Sequence, residues 1–188
     1  MVDGIRFVPA DPAGPTHTVV VDSPLGPLLL TGDSTALRRI DPAPSDGVAG
    51  PPPGASGPPS GVVSGAPVGA LAAAADQLDE YFAGRRTRFD LPIALTGTPF
   101  QCAVWHHLAT IPYGDVTTYG RIAVALGKAT AYRAVGAANG RNPVPVILPC
   151  HRVVAGTGAL VKYGLGGVGR KRQLLDLESG RDRLDLGT

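Results

Sequence analysis

The sequence predicts an α+β protein of two parts, a strand-rich unit over residues 1–97 and a mainly helical one over 98–188, and three observations carry that prediction. Up to Gly97, short β-rich runs surround one amphipathic helical stretch, whereas the apolar residues after it recur at helical spacing. Charge divides at the same place. Residues 1–97 hold 6 basic and 10 acidic side chains and residues 98–188 hold 11 and 5, so the whole-chain net of +2 hides an acidic half joined to a basic one. Residues 116–172 contain nine Lys or Arg and no Asp or Glu, and inside that stretch two short helical patterns flank a glycine turn, the pattern of a helix-turn-helix.

Residues 18–21 and 27–31 are apolar runs separated by the turn signal Asp22-Ser23-Pro24-Leu25-Gly26, which reads as a hairpin, with residues 36–40 as a third strand. In residues 41–69, 15 of 29 positions are Gly or Pro and none is Lys, Arg or aromatic, so the segment cannot bury enough apolar surface to offset its ordering entropy. It reads as a flexible surface loop or linker, and it lacks the basic anchors of a Pro-rich ligand. Residues 68–83 read as a helix, with Leu71, Ala74, Leu78 and Tyr81 at three- and four-residue spacing and Gly84 as its stop. Residues 89–95 read as a strand. Phe100, Val104, Leu108 and Ile111 then share a helical face beside Trp105, followed by the turn Pro112-Tyr113-Gly114-Asp115. Thr118 is placed to cap a helix running to Leu126, and Thr130 to cap another over 131–139. This last helix is mostly Ala and Gly with Arg133 near its start. It suits either close approach to a narrow minor groove or close helix packing, and the residues alone leave both open.

Several classes are excluded. Two cysteines build neither a disulfide framework nor a four-cysteine zinc site. No apolar run approaches the ~20 residues a membrane span needs. The N-terminus has no basic region followed by an apolar core, so a soluble intracellular protein with reduced thiols is expected. The basic half raises the local concentration of polyanions, and with the helix-turn-helix it points to nucleic acid.

The chemistry concentrates in residues 143–154, where Pro143, Pro145 and Pro149 stiffen an apolar segment that reads as a strand with Cys150 and His151 side by side. A thiol beside an imidazole, with Arg152 next, is a candidate nucleophile of depressed pKa. Neighbours on a strand face opposite ways, so a Cys150–His151 contact requires a bend or a bridging water, and a structural cysteine is an equal reading. Cys102, His106, His107, Cys150 and His151 show no paired zinc-ligand spacing; Cys102 reads as packing and the two histidines of the Trp105 helix as surface.

Pro149-Cys150-His151-Arg152-Val153 resembles the active-site signature of the O6-alkylguanine-DNA alkyltransferases. Phe100-Gln101-x-x-Val104-Trp105, Ile111-Pro112-Tyr113-Gly114, Thr118-Tyr119-Gly120, Arg133-Ala134-Val135-Gly136, Asn142-Pro143 and the tail through Tyr163, Arg170-Lys171-Arg172, Leu174-Leu175 and Glu178 match in order, over nearly all of 98–180. The resemblance implies a ribonuclease-H-like N-terminal domain (1–97) and a winged helix-turn-helix-type C-terminal domain (98–188). It implies irreversible transfer of an alkyl group from O6-alkylguanine, and O4-alkylthymine, in DNA to Cys150, one molecule consumed per lesion. His151 would take the thiol proton through a water and Glu178 would orient it. Asn142 would hold the turn, and Tyr119 would donate to the leaving guanine. Arg133 would fill the stack left by a flipped base. Ala134, Gly136, Ala137, Thr118 and Arg141 would contact DNA. Tyr119, Pro145, Val153, Tyr163 and Gly164 would form the base pocket. No cofactor or metal is implied, and the chain is expected to act as a monomer, with cooperative assembly on DNA left open, in the cytoplasm at the nucleoid. Two features depart from the pattern. Lys162 replaces a glycine, with one residue extra in its loop, and the 41–69 segment is unusually long. A lesion-binding sensor is the alternative, which Cys150 argues against; a thiol hydrolase would turn over without DNA.

Overall fold

The computed structural model describes residues 4–10, 16–43, 63–64 and 69–180. The chain divides into two compact units, with the boundary between Leu95 and Thr96.

Among the described residues the first unit is a six-stranded mixed sheet with one helix. Strands β2 (His17–Val21), β3 (Leu28–Gly32) and β4 (Leu37–Pro42) form an antiparallel meander, the first two being the expected hairpin. β6 (Leu91–Ala94) pairs parallel with β4, β1 (Ile5–Val8) pairs parallel with β6, and the two-residue β5 (Val63–Ser64) pairs parallel with β2. Helix α1 (Ala70–Phe82) lies against this sheet. Leu71, Leu78 and Tyr81 from the helix and Leu28, Leu30, Leu37, Leu91 and Ile93 from the sheet are fully buried, the stripe the helical spacing requires. α1 starts two residues after the expected position because Gly69 occupies φ 54°, where a side chain would also meet Ser34 O at 2.2 Å. The Gly/Pro-rich segment is not uniform: Asp41 and Pro42 finish β4, and Val63–Ser64 is a strand. The rest of it, residues 44–62 and 65–68, lies outside the described residues. At the β3–β4 turn Asp33 Oδ1 accepts from Thr35 N, Thr35 Oγ1 and Ala36 N, while Oδ2 accepts from Arg38. Burial alone would push this carboxyl up, but those hydrogen bonds hold it at about 2.

The second unit opens with α2 (Pro99–Leu108). Thr98 Oγ1 accepts from Gln101 N while Gln101 Oε1 accepts from Thr98 N, a reciprocal cap at the start of the helix. The short strand β7 (Thr117–Thr118) leads into α3 (Tyr119–Ala125), which Thr118 Oγ1 caps through Arg121 N. α4 (Tyr132–Gly140) follows a turn through Gly127, and α3 and α4 pack together as the expected pair. Thr130 does not cap α4: Ala131 occupies that position and no side chain bonds the free N–H groups. Trp105 Nε1 donates to Ala138 O at 2.9 Å, tying α2 to α4.

The expected strand over 143–154 does not form. A single bridge joins Pro145 and Leu148, a 3₁₀ turn spans Cys150–Arg152, and β8 (Val153–Val154) pairs parallel with β7. Prolines remove ladder donors, and the side chain of Asn142 replaces them: Nδ2 donates to Leu148 O at 2.7 Å and Oδ1 accepts from Val144 N at 3.1 Å. Buried Val146 sits at φ 75°, an outlier for a β-branched residue that stores about 1–3 kcal/mol of strain four positions before Cys150. α5 (Gly167–Ser179) closes the unit and buries Lys171, Leu174 and Glu178 on one face.

Candidate active site

Cys150 is the first residue of the 3₁₀ turn and 3% exposed. Its backbone N–H donates to Leu148 O, and its carbonyl accepts from Asn139 Nδ2 on α4 at 3.4 Å. Burial pushes the thiol up from its ordinary 9.0 to about 11. The Asn142 side chain, the Lys171 ammonium and the backbone N–H groups of Cys150 and His151 act in the opposite direction but do not win. The depressed thiol expected from the Cys-His-Arg run is therefore overturned. The thiol is protonated at rest at pH 7, and its proton must be removed for the sulfur to react as a thiolate.

His151, next in the turn, is fully buried, and its Nε2 lies 2.9 Å from Glu178 Oε1. Burial, with the Arg152 and Lys171 charges, outweighs Glu178 and drives the imidazole below its ordinary 6.5, so it is neutral at pH 7. A neutral ring facing a carboxylate through Nε2 must carry its proton there. Nδ1 is then the unprotonated nitrogen, and it is buried with no protein hydrogen-bond partner among the described residues.

Glu178 is held at both oxygens. Oε1 also accepts from Arg152 Nη2 at 2.8 Å; Oε2 accepts from Arg152 Nε at 2.9 Å and Gly114 N at 3.2 Å. Burial would raise this carboxyl, but the hydrogen bonds from His151 and Arg152 and their charges bring it to about 2. Arg152 is itself fixed by Ile111 O at 2.6 Å and by the Tyr113 ring, 5.7 Å from its guanidinium. The 3₁₀ turn and α5, 26 residues apart in sequence, thus meet in one buried network.

Lys171, 0% exposed, donates from Nζ to Val153 O at 2.6 Å. Burial lowers its pKa and the charge on Cys150 raises it. It is a buried cation within electrostatic reach of the sulfur. The role of Lys171, and Arg152's clamp on Glu178, escaped sequence reasoning, because a basic residue inside Arg170-Lys171-Arg172 or after Cys-His reads as solvated charge. The available signal was position: Lys171, Leu174 and Glu178 fall on one helical face.

Tyr119, at the start of α3, is half-buried. Burial pushes its phenol up, and a thiolate at Cys150 would push it the same way, so it stays a donor. A Cβ on Gly136 would lie 3.8 Å from Tyr119 Cδ1, which places the ring against α4. Tyr119 shares a cavity of about 530 Å³ with Arg133, Gly136, Ala137, Arg141 and Gly164, and Tyr132 and Lys162 complete its polar lining. Pro145, Val153 and Tyr163 are buried; the Tyr163 ring meets the His151 ring edge-on at 6.4 Å. Ala134 is exposed on α4, and Thr118 is used as the α3 cap. Cys102 lies on α2 at intermediate exposure, with His106 exposed beside it. Among the described residues no group of three His, Cys, Asp or Glu side chains could hold a metal ion, and no helix is long and apolar enough to cross a membrane.

The family described as 6-O-methylguanine DNA methyltransferase matches twice, its ribonuclease-like domain over residues 17–95 and its DNA binding domain over 99–180. The methylated-DNA–protein-cysteine methyltransferase of Mycobacterium tuberculosis H37Rv is 45% identical over 175 residues, 90% of this chain and 96% of the relative. That of Methanosarcina barkeri is 40% identical over 167 residues, 85% and 94% of the two chains. Among solved structures, that of Mycobacterium tuberculosis OGT in complex with DNA is 42% identical with a TM-score of 0.73, over 89% of this chain and 94% of that one.

Proposed function

This chain belongs to the 6-O-methylguanine DNA methyltransferase family, and from that premise we propose how its own residues carry out alkyl transfer from DNA to a protein cysteine. The fixed tautomer of His151 carries the reading: Glu178 holds the Nε2 proton, so Nδ1 is left as a base in a buried site beside a thiol that is protonated at rest. His151 takes the Cys150 proton through a bridging water. The thiolate attacks the alkyl carbon, a C–S bond forms, and the carbon–O6 bond breaks with its electrons passing to guanine. Tyr119 donates to the guanine ring nitrogen as that charge develops. The proton held by His151 then returns to Tyr119 through water, so the net change is one proton moved from thiol to guanine, one carbon–oxygen bond broken and one thioether formed. No second thiol or water reaches that thioether in the mechanism, so each molecule acts once.

A base inside a duplex is out of reach of a buried thiol, so the lesion must leave the stack, at a cost of a few kcal/mol. In our reading α4 enters the minor groove, where Ala134, Gly136 and Ala137 permit close approach and Arg141 and other cations meet phosphates. Arg133 fills the vacated stack, and Pro145, Val153, Tyr163 and Gly164 hold the base. Arg133 is exposed on α4 and lines the same cavity as Tyr119, which supports this reading. The protein acts as a monomer on alkylated guanine, in the cytoplasm at the nucleoid.

The test is to incubate the protein with an oligonucleotide carrying O6-methylguanine and weigh it intact. A single methyl gain, absent in Cys150→Ser, is expected. Unchanged protein holding the lesion would identify a sensor, and continuing turnover a hydrolase. Arg133→Ala should slow transfer from duplex much more than from free O6-benzylguanine; equal losses would refute the flipping role.

A further inference from the structure

We propose that Tyr132 is a positioning residue for Arg133, holding its guanidinium at the mouth of the cavity so that it is ready to enter the duplex. The inference rests on the role assigned above to Arg133.

Tyr132 and Arg133 are the first two residues of α4. Successive residues on a helix are about 100° apart and do not face each other. Here they do: the Arg133 guanidinium carbon lies over the Tyr132 ring, 5.4 Å from its centroid. The arginine stem must therefore fold sideways around the first helical turn rather than extend into solvent. The ring face is the polar partner that the structure gives this guanidinium among the described residues. The first turn of α4 also contains no acidic residue, and Ala131 supplies no cap. A cation at that end of a helix is disfavoured by the helix dipole, so the negative face of the ring is the partner that makes the conformer stable.

The place of the pair gives this contact a use. Tyr132 and Arg133 line the same cavity as Tyr119, and Tyr132 is left 47% exposed, unusual for so large a ring. A free arginine samples many rotamers, and ordering it on the DNA opposes base flipping. A ring that already confines the guanidinium removes part of that cost before DNA arrives. The phenol hydroxyl has no part in this; only the face of the ring does.

The experiment measures single-turnover alkyl transfer from an O6-methylguanine duplex and from free O6-benzylguanine. Tyr132→Leu and Tyr132→Phe are compared, each in the natural and the Arg133→Ala background. Tyr132→Leu should slow the duplex reaction about two- to fivefold, the worth of an exposed cation–π contact, and slow the free-base reaction distinctly less. Tyr132→Phe should behave as the natural protein. In the Arg133→Ala background Tyr132→Leu should cost nothing further. The proposal is overturned if Tyr132→Leu leaves the duplex rate unchanged or slows both substrates alike. It is also overturned if the loss persists without Arg133, which would mean direct contact of Tyr132 with DNA, or if Tyr132→Phe loses activity, which would assign the effect to the hydroxyl. Failure of the underlying role is separate: Arg133→Ala alone would then slow both substrates equally, whatever Tyr132 does.

Discussion

Replacing Glu178 by Gln keeps the shape of the side chain and removes the charge on which His151 and Arg152 converge. The carboxyl sits at about 2 against an ordinary 4.5. At 1.36 kcal/mol per pH unit the difference is worth about 3 kcal/mol to the folded state, in line with the cost of breaking one partner of a buried ion pair. Its pH dependence has a definite sign. Because the folded pKa is depressed, the contribution is fully present above about 4.5 and is lost as pH falls towards about 2. Urea unfolding followed by tryptophan fluorescence reads this directly. Trp105 is the only tryptophan, it is 2% exposed, and it lies on α2 of the same unit. Glu178→Gln should lose about 3 kcal/mol at pH 7, and the gap to the natural protein should close on acidification to about pH 2. A variant within about 0.5 kcal/mol at pH 7, the range of an ordinary surface substitution, would refute the reasoning, as would a gap that is the same at pH 7 and pH 2.5.

Three further outcomes follow from the site and the turn at Asp33. Lys171→Met removes a buried cation that lowers the Cys150 pKa, so the thiol should titrate still higher and methyl transfer should slow. Melting temperature should change little, because relief of the desolvated ammonium is offset by the Val153 carbonyl left without its donor; a faster reaction would contradict this. Tyr119→Phe removes the donor for the leaving guanine and should slow transfer by about a hundredfold or more, with DNA affinity retained in a binding assay. Asp33→Asn leaves the β3–β4 turn with weaker acceptors. From a carboxyl at about 2 against 3.8, the loss should be about 2 kcal/mol, read as faster hydrogen exchange at the Thr35 and Ala36 amides and largest above pH 4.

Much of the fold was legible because its signals are local. The β2–β3 hairpin follows from a turn between two apolar runs, and α1 and α2 from apolar residues at three- and four-residue spacing. β1 was not legible, since Ile5 pairs with Leu91 and a four-residue run carries no sign of so distant a partner. Nor was α5, whose inward face carries Lys171 and Glu178 where a periodicity argument looks for apolar side chains. The segment before Cys150 misled for a related reason. Its apolar residues read as a strand, but prolines cannot donate to a ladder, and the Asn142 bonds and the strained Val146 turn the chain instead.

The same division runs through the chemistry. Residue order marked Cys150 and His151 as a candidate reactive pair, with a structural cysteine as an equal reading, and pointed the basic half towards nucleic acid, because both signals rest on residue type and proximity along the chain. The ionisation states depend on what surrounds each group in space. Burial drives the thiol up rather than down. Glu178, far along the chain, selects which nitrogen of His151 keeps its proton. Lys171 becomes a buried cation instead of one charge in a basic tail. Desolvation and Coulomb attraction act through distance and dielectric, so only the packed chain could set them.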